Sequence, residues 1–113
     1  MNLHNIIQEL HLTPLTKPVA YEEIVPTSGY SSDLLSCVMA GAKSNSIWVT
    51  LQAHQNIIGV AALLEMSAVI ITENAQPDPA TIAKANNQSV ILLSTPKSSF
   101  EIIGNLWKMG LRN

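Results

Sequence analysis

Few side chains in this sequence can do covalent or proton-transfer chemistry, and their spacing limits what they could do. His54 sits in Gln52-Ala53-His54-Gln55-Asn56, and an imidazole titrates near neutrality, so it is the natural acid, base or ligand contact. No carboxylate lies within that loop to orient it. Asp33, Glu65, Glu73 and Asp78 form no evident acid and base pair. The cations, Lys17, Lys43, Lys84, Lys97, Lys108 and Arg112, are too scattered to steady a transferring phosphoryl group. His4 and His11 are seven apart, whereas a helical metal pair needs a spacing of three or four and a third ligand. No metal and no cofactor are therefore expected, and no catalytic residue is assigned. Cys37, beside Val38 and Met39, reads as a buried inert thiol.

Neutral hydrogen-bonding groups are more informative, because they gather where strands should end. Ile47–Leu51, Ala68–Thr72 and Val90–Ser94 are short, β-branched runs whose starts lie about 21 residues apart. The segments between them, Gln55–Met66 and Pro79–Gln88, lack internal proline and fit helices. Strand, helix, strand at this spacing predicts parallel βαβ units with right-handed crossovers. Near-continuous apolarity predicts strands covered on both faces. The expected fold is a single α/β domain of three layers, α/β/α, over residues 1–113, with a mostly parallel central sheet.

Other boundaries follow from capping chemistry. Asp78-Pro79 and Ser98-Ser99 open helices, the second running through Ile102, Ile103, Leu106 and Met109 to Gly110. Ser31-Ser32-Asp33 is expected to cap a helix over Leu34–Lys43, preceded by a strand over Val19–Val25 and a turn at Pro26-Thr27-Ser28-Gly29. A helix over Asn2–Leu10 starts the chain, and Pro14 and Pro18 bracket a short edge segment at Leu15.

Parallel strands deliver the loops after their carboxyl ends to one rim, where open α/β sheets place ligands. Those loops hold Ser28, Tyr30, Ser31, Ser32, Asp33, Gln52, His54, Gln55, Asn56, Thr72, Glu73 and Thr95, the expected ligand-binding set. Tyr30 could stack on a planar group. Gly29-Tyr30-Ser31-Ser32-Asp33 is not a P-loop, since neither the lysine nor the glycine spacing is present.

Composition closes off whole classes of partner. In 113 residues there are 6 basic and 8 acidic side chains, a net charge of −2, which argues against nucleic acid. Charged residues are 12% and hydrophobic ones 47%, so some apolar surface should be covered by a second copy. The helix over Asn56–Met66, apolar on most sides, is the expected place, making a homodimer. One cysteine excludes an internal disulfide and suits a reducing compartment. Met1–Leu10 lacks the apolar run of a signal peptide, and Ile57–Leu64 is too short to span a bilayer. A cytoplasmic, membrane-free protein is expected.

The strings Tyr30–Ala40 (YSSDLLSCVMA), Ile47–Ile57 (IWVTLQAHQNI) and Ala68–Thr72 (AVIIT) resemble the stand-alone DRTGG-domain proteins, often labelled HPr-kinase-like. The resemblance covers nearly the whole chain. It implies the fold of the N-terminal domain of HPr kinase/phosphorylase. It also implies an accessory role like that of DRTGG domains beside CBS domains in regulated pyrophosphatases, or within phosphotransacetylases. The naming Asp-Arg-Thr would fall near His54-Gln55-Asn56, so no role of that acid or arginine carries over. The kinase label has no support, because the P-loop belongs to another domain of HPr kinase. Stand-alone members resemble proteins coded near redox-enzyme genes. Two readings follow: a regulatory homodimer binding a small ligand such as a nucleotide, or a scaffolding subunit docked to a partner enzyme of a redox or metabolic system.

Overall fold

The computed structural model describes residues 1–113. Five strands form one sheet: β1 (Thr13–Pro14), β2 (Ser28–Ser31), β3 (Ser46–Thr50), β4 (Ala68–Ile71) and β5 (Leu92–Ser94), in the order β1-β5-β4-β3-β2. β2 through β5 run parallel, and only the two-residue β1 is antiparallel, against β5. Helices α1 (Leu3–Leu10), α2 (Leu35–Gly41), α3 (Asn56–Leu63), α4 (Pro79–Asn87) and α5 (Ser99–Lys108) complete the domain.

Consecutive parallel neighbours force the three crossovers α2, α3 and α4 onto one face, because crossovers of one hand cannot alternate sides in that order. The period-two alternation of each strand then divides the core. Trp48, Val69, Ile71 and Leu92 meet Val38, Ile57, Ile58, Ala61 and Ala85 from the crossover helices. Ile47, Val49, Ala68, Ile70 and Leu93 meet Leu3, Ile6, Ile7 and Leu10 of α1 and Ile102 and Leu106 of α5. The three-layer α/β/α expectation holds. The accessible surface, 5867 Å², is close to the roughly 6,000 Å² expected for a chain of this mass. No helix is long and apolar enough to cross a membrane.

Four expectations for the first half need correction. Val19–Val25 is no strand: between Pro18 and Pro26 the chain makes a 3-10 turn at Tyr21–Glu23, with Val19 and Val25 exposed and no ladder to join. The strand lies later, in the segment read as a turn, where Ser28, Gly29, Tyr30 and Ser31 pair with Ser46, Ile47, Trp48 and Val49. Cys37 is exposed, not buried, because α2 settles on the sheet mainly through Val38 and leaves Leu34 and Met39 outside as well. The anticipated cap also differs: Leu34 holds the N-cap position with no side-chain cap bond, although Ser32 Oγ accepts from Leu34 N–H. α3 buries Ile57, Ile58 and Ala61 but exposes Leu63 at 67%, so only part of the expected all-round burial occurs within one chain.

Gly41 ends α2 against Tyr30, and a Cβ built there would lie 2.6 Å from the Tyr30 hydroxyl oxygen and 2.8 Å from its ring. Replacing a helical glycine with alanine ordinarily gains about 0.5–1 kcal/mol. Here the sign reverses: Gly41→Ala forces out a ring whose hydroxyl donates to Cys37 O at 3.1 Å, and overpacking costs about 1–3 kcal/mol. A urea titration of Gly41→Ala should show its midpoint falling.

Candidate functional site

At the carboxyl ends of β2 to β5 the chain builds three linked polar clusters. The first joins the ends of β2 and β3. Asp33 Oδ1 accepts from Thr50 Oγ1 and from Leu51 N–H, both at 2.8 Å. Gln52 N–H donates to Thr50 Oγ1 at 3.1 Å, and Gln52 Nε2 to Asp33 O at 3.3 Å. Beneath them the buried Trp48 Nε1–H donates to Ser32 O at 2.9 Å, so the core ties down the loop that carries Asp33.

The second cluster joins the ends of β4 and β5. Glu73 and Asn74 both take the left-handed conformation, at φ 60° and 59°, which costs a non-glycine residue about 1 kcal/mol or more. That reversal lets Glu73 N–H reach Lys97 O at 2.9 Å and Asn74 N–H reach Thr95 O at 3.1 Å. It also brings the Glu73 carboxylate to Ser99 N–H at 2.8 Å, placing an anion at the positive end of α5. Thr72 Oγ1, fully buried, donates to Thr50 O and pairs with Ser99 Oγ. Thr95 Oγ1 accepts from Lys97 N–H at 3.1 Å.

The third cluster surrounds the start of α3. His54 Nδ1 meets Asn56 Oδ1 at 2.7 Å and Asn56 N–H at 3.2 Å, leaving Nε2 as the open nitrogen. Asp78, the N-cap of α4, accepts from Thr81 N–H and Thr81 Oγ1, each at 2.8 Å. The Thr81 backbone bond, then its hydroxyl, with a smaller contribution from nearby His54, hold the Asp78 carboxyl below its usual range. A folded-state pKa below the ordinary aspartate value stabilises the fold at any pH above that value, about 3.9. The contribution disappears as pH falls through the lowered folded value. The stability difference between the natural chain and Asp78→Asn, which keeps the capping oxygen without its charge, should therefore be constant above about pH 5 and shrink below about pH 4. Urea titrations across pH 3–7 measure it.

Helix termini at the rim are not equivalent. α5 is served by Glu73 and α4 by Asp78, so their positive ends already face carboxylates. α3 has no side-chain cap and no acidic residue in its first turn. The polar groups left open at its start are His54 Nε2, Gln52 Oε1, Asn56 Nδ2 and the exposed Gln55, and Leu34 and Leu51 lie exposed at 61% and 45% on the neighbouring loops.

Of the residues expected at the rim, Ser32, Asp33, Gln52, His54, Gln55, Thr72, Glu73 and Thr95 lie in the loops following the strands, and Asn56 opens α3 at the same edge. Ser28 does not: it opens β2 opposite Ser46, buried at the amino end of the sheet. Tyr30 and Ser31 are strand residues, with Tyr30 turned to α2 through its bond to Cys37 O. Asp78, Lys97 and Ser99 also stand at the rim, although none belongs to the expected ligand-binding set. The signal for Asp78 was present, since capping α4 places it at the mouth of the loop after β4. A half-open cavity of about 280 Å³ lies elsewhere, between β2, α5 and the last residues of the chain.

No protein-family model and no curated protein matches the chain. Among solved structures, the fold is similar to the CBS and DRTGG domains of the regulatory region of Clostridium perfringens pyrophosphatase, complexed with its activator diadenosine tetraphosphate. The TM-score is 0.73 at 17% identity, covering 90% of this chain and 44% of that one. The chain thus spans less than half the length of that structure, and the likeness is one of fold: a mostly parallel α/β domain of CBS/DRTGG type.

Proposed function

We propose that the chain is a non-catalytic regulatory module, a single DRTGG-like domain that acts in the cytoplasm as a homodimer and binds a small ligand, a nucleotide, at the carboxyl rim. The observation that carries this reading is the start of α3, the one rim helix of eight or more residues left without a carboxylate, its first amide resting on His54 Nδ1 and open hydrogen-bonding groups around it. A phosphate there would meet the positive end of α3 and His54 Nε2 without displacing a resident anion, although the amides of Asn56, Ile57 and Ile58 already bond to His54 Nδ1, His54 O and Gln55 O. A base would lie over the exposed Leu34 and Leu51, with Asp33 and Gln52 beside it. The fold shared with a pyrophosphatase regulatory region bound to a dinucleotide supports the same direction. Exposed Met39 and Leu63 on the outer surface of α2 and α3 supply apolar area for a second copy.

Melting the protein with AMP, ADP, ATP and diadenosine tetraphosphate tests the reading. At least one should raise the melting temperature by several degrees, and His54→Ala or Gln52→Ala should abolish the rise measured from each variant's own ligand-free value. Sedimentation should give twice the 12.2 kDa chain mass. No rise with any of the four, together with co-purification of one metabolic enzyme, would replace it with the scaffolding reading. ATP turnover lost in His54→Ala would replace it with an enzymatic one.

A further inference from the structure

The cavity is half open to solvent, separate from the rim and differently built. It holds about 280 Å³, near the lower end of the 300–1,000 Å³ typical of small-molecule sites, enough for one or two fused rings. Its walls are apolar: Val49, Leu106 and Leu111 at the back, Ile103 and Trp107 toward the mouth. Arg112 is the one charged side chain in the lining, no acidic side chain joins it, and Gly29, Ser31 and Asn113 complete its polar part.

Arg112 is held in place before any ligand arrives. Its guanidinium lies 4.0 Å from the Trp107 ring centroid, and Nη1 donates to Trp107 O at 2.6 Å and to Leu111 O at 3.0 Å. Nε and Nη2 carry no bond to the protein, and the chain's one acid–base contact, Lys97 to Glu101, lies elsewhere. A guanidinium fixed by its neighbours loses little freedom when it takes an anion, and its remaining donors suit a planar carboxylate. The free edge of β2 adds a second polar wall. Gly29 N–H takes Arg112 O at 2.9 Å, and the alternation of the ladder turns the Ser31 backbone toward that same open side.

We propose that this cavity is a binding site for a small aromatic carboxylate, its ring seated against Ile103 and Trp107 and its carboxylate held by Arg112 and the β2 edge. The argument is independent of the rim and of the nucleotide reading.

The two tryptophans make the test internally controlled, since Trp48 is fully buried with its N–H bonded inside the fold and Trp107 is 53% exposed at the cavity. Naphthalene-2-carboxylate titrated into ¹⁵N-labelled protein should shift the Trp107 indole signal and the Gly29 and Ser31 amides saturably, with Kd of about 1 mM or tighter. The Trp48 indole signal should stay fixed. Naphthalene-2-carboxamide, and the acid on Arg112→Gln, should each bind at least about tenfold more weakly, a loss of about 1.4 kcal/mol. Ile103→Phe should block the cavity while keeping the Trp48 signal. The proposal is overturned by no saturable shift at Trp107, by acid and amide binding equally, or by shifts confined to Gln52, His54 and Asn56. That last outcome would leave the rim reading standing.

Discussion

Trp48→Ala should lower the unfolding free energy by about 3–5 kcal/mol, the range for emptying a large buried aromatic site. Against a total of about 5–15 kcal/mol for a domain of this kind, that takes the protein close to the edge of folding. Trp48 is the largest fully buried side chain and packs between the sheet and the crossover helices with Val38, Ile57 and Ile58. Its indole also reaches out of the core, donating to Ser32 O at 2.9 Å, so the loss has two parts. Trp48→Phe separates them. It keeps most of the packing and drops only the N–H, at a cost of about 1–2 kcal/mol for a half-buried carbonyl left without its donor. Urea midpoints for both variants decide the matter; a loss under about 1 kcal/mol for Trp48→Ala would mean that this face is loosely packed.

That indole marks where the sequence speaks and where it stops. β3, β4 and β5 announce themselves because they are central: buried on both faces, they are spelled in isoleucine, valine and leucine. β2 carries Ser28-Gly29-Tyr30-Ser31, and such a composition is locally indistinguishable from a turn. It becomes a strand only because β3 offers it a ladder. Val19–Val25 shows the reverse error, since a β-branched composition flanked by prolines finds no partner and stays a turn. The exposure of Cys37 has the same origin: an apolar stripe says that a face can be buried, not that a short helix will lie close enough to bury it.

The site divides along the same line. Parallel topology alone brings nine of the twelve anticipated residues to the rim, because the direction of a strand fixes where its loop emerges. What the loops do to one another was not legible. Asp33 reads as a helix cap for α2, yet its carboxylate turns across to β3, 17 residues on. Glu73 reads as a free ligand contact, yet 26 residues separate it from the Ser99 N–H that occupies it. Both contacts depend on strand register, which no local pattern encodes.

Asp33 is therefore a joint between two loops, and its removal should be felt well beyond its own position. One oxygen receives both the Thr50 hydroxyl and the Leu51 N–H. Bonds to a charged acceptor contribute about 1.5–3 kcal/mol each, less here because Asp33 is open to water, so Asp33→Ala should cost about 2–4 kcal/mol. Thr50 is buried and would keep a hydroxyl with no acceptor, and Gln52, whose N–H donates to Thr50 Oγ1, would rest on a hydroxyl no longer held by a carboxylate. Asp33→Asn retains an oxygen at the same place and should cost only about 1 kcal/mol. Combining Asp33→Ala with Thr50→Val should give a coupling energy of about 0.5–3 kcal/mol, because each change removes the bond the two side chains share. Urea titrations of the four chains supply the cycle, and additivity would mean that the carboxylate is held by Leu51 N–H alone. Equal stability for Asp33→Ala and Asp33→Asn would show that the two loops keep their relation without it. The arrangement of Gln52 and His54 around the start of α3 would then have to come from the strand ends themselves.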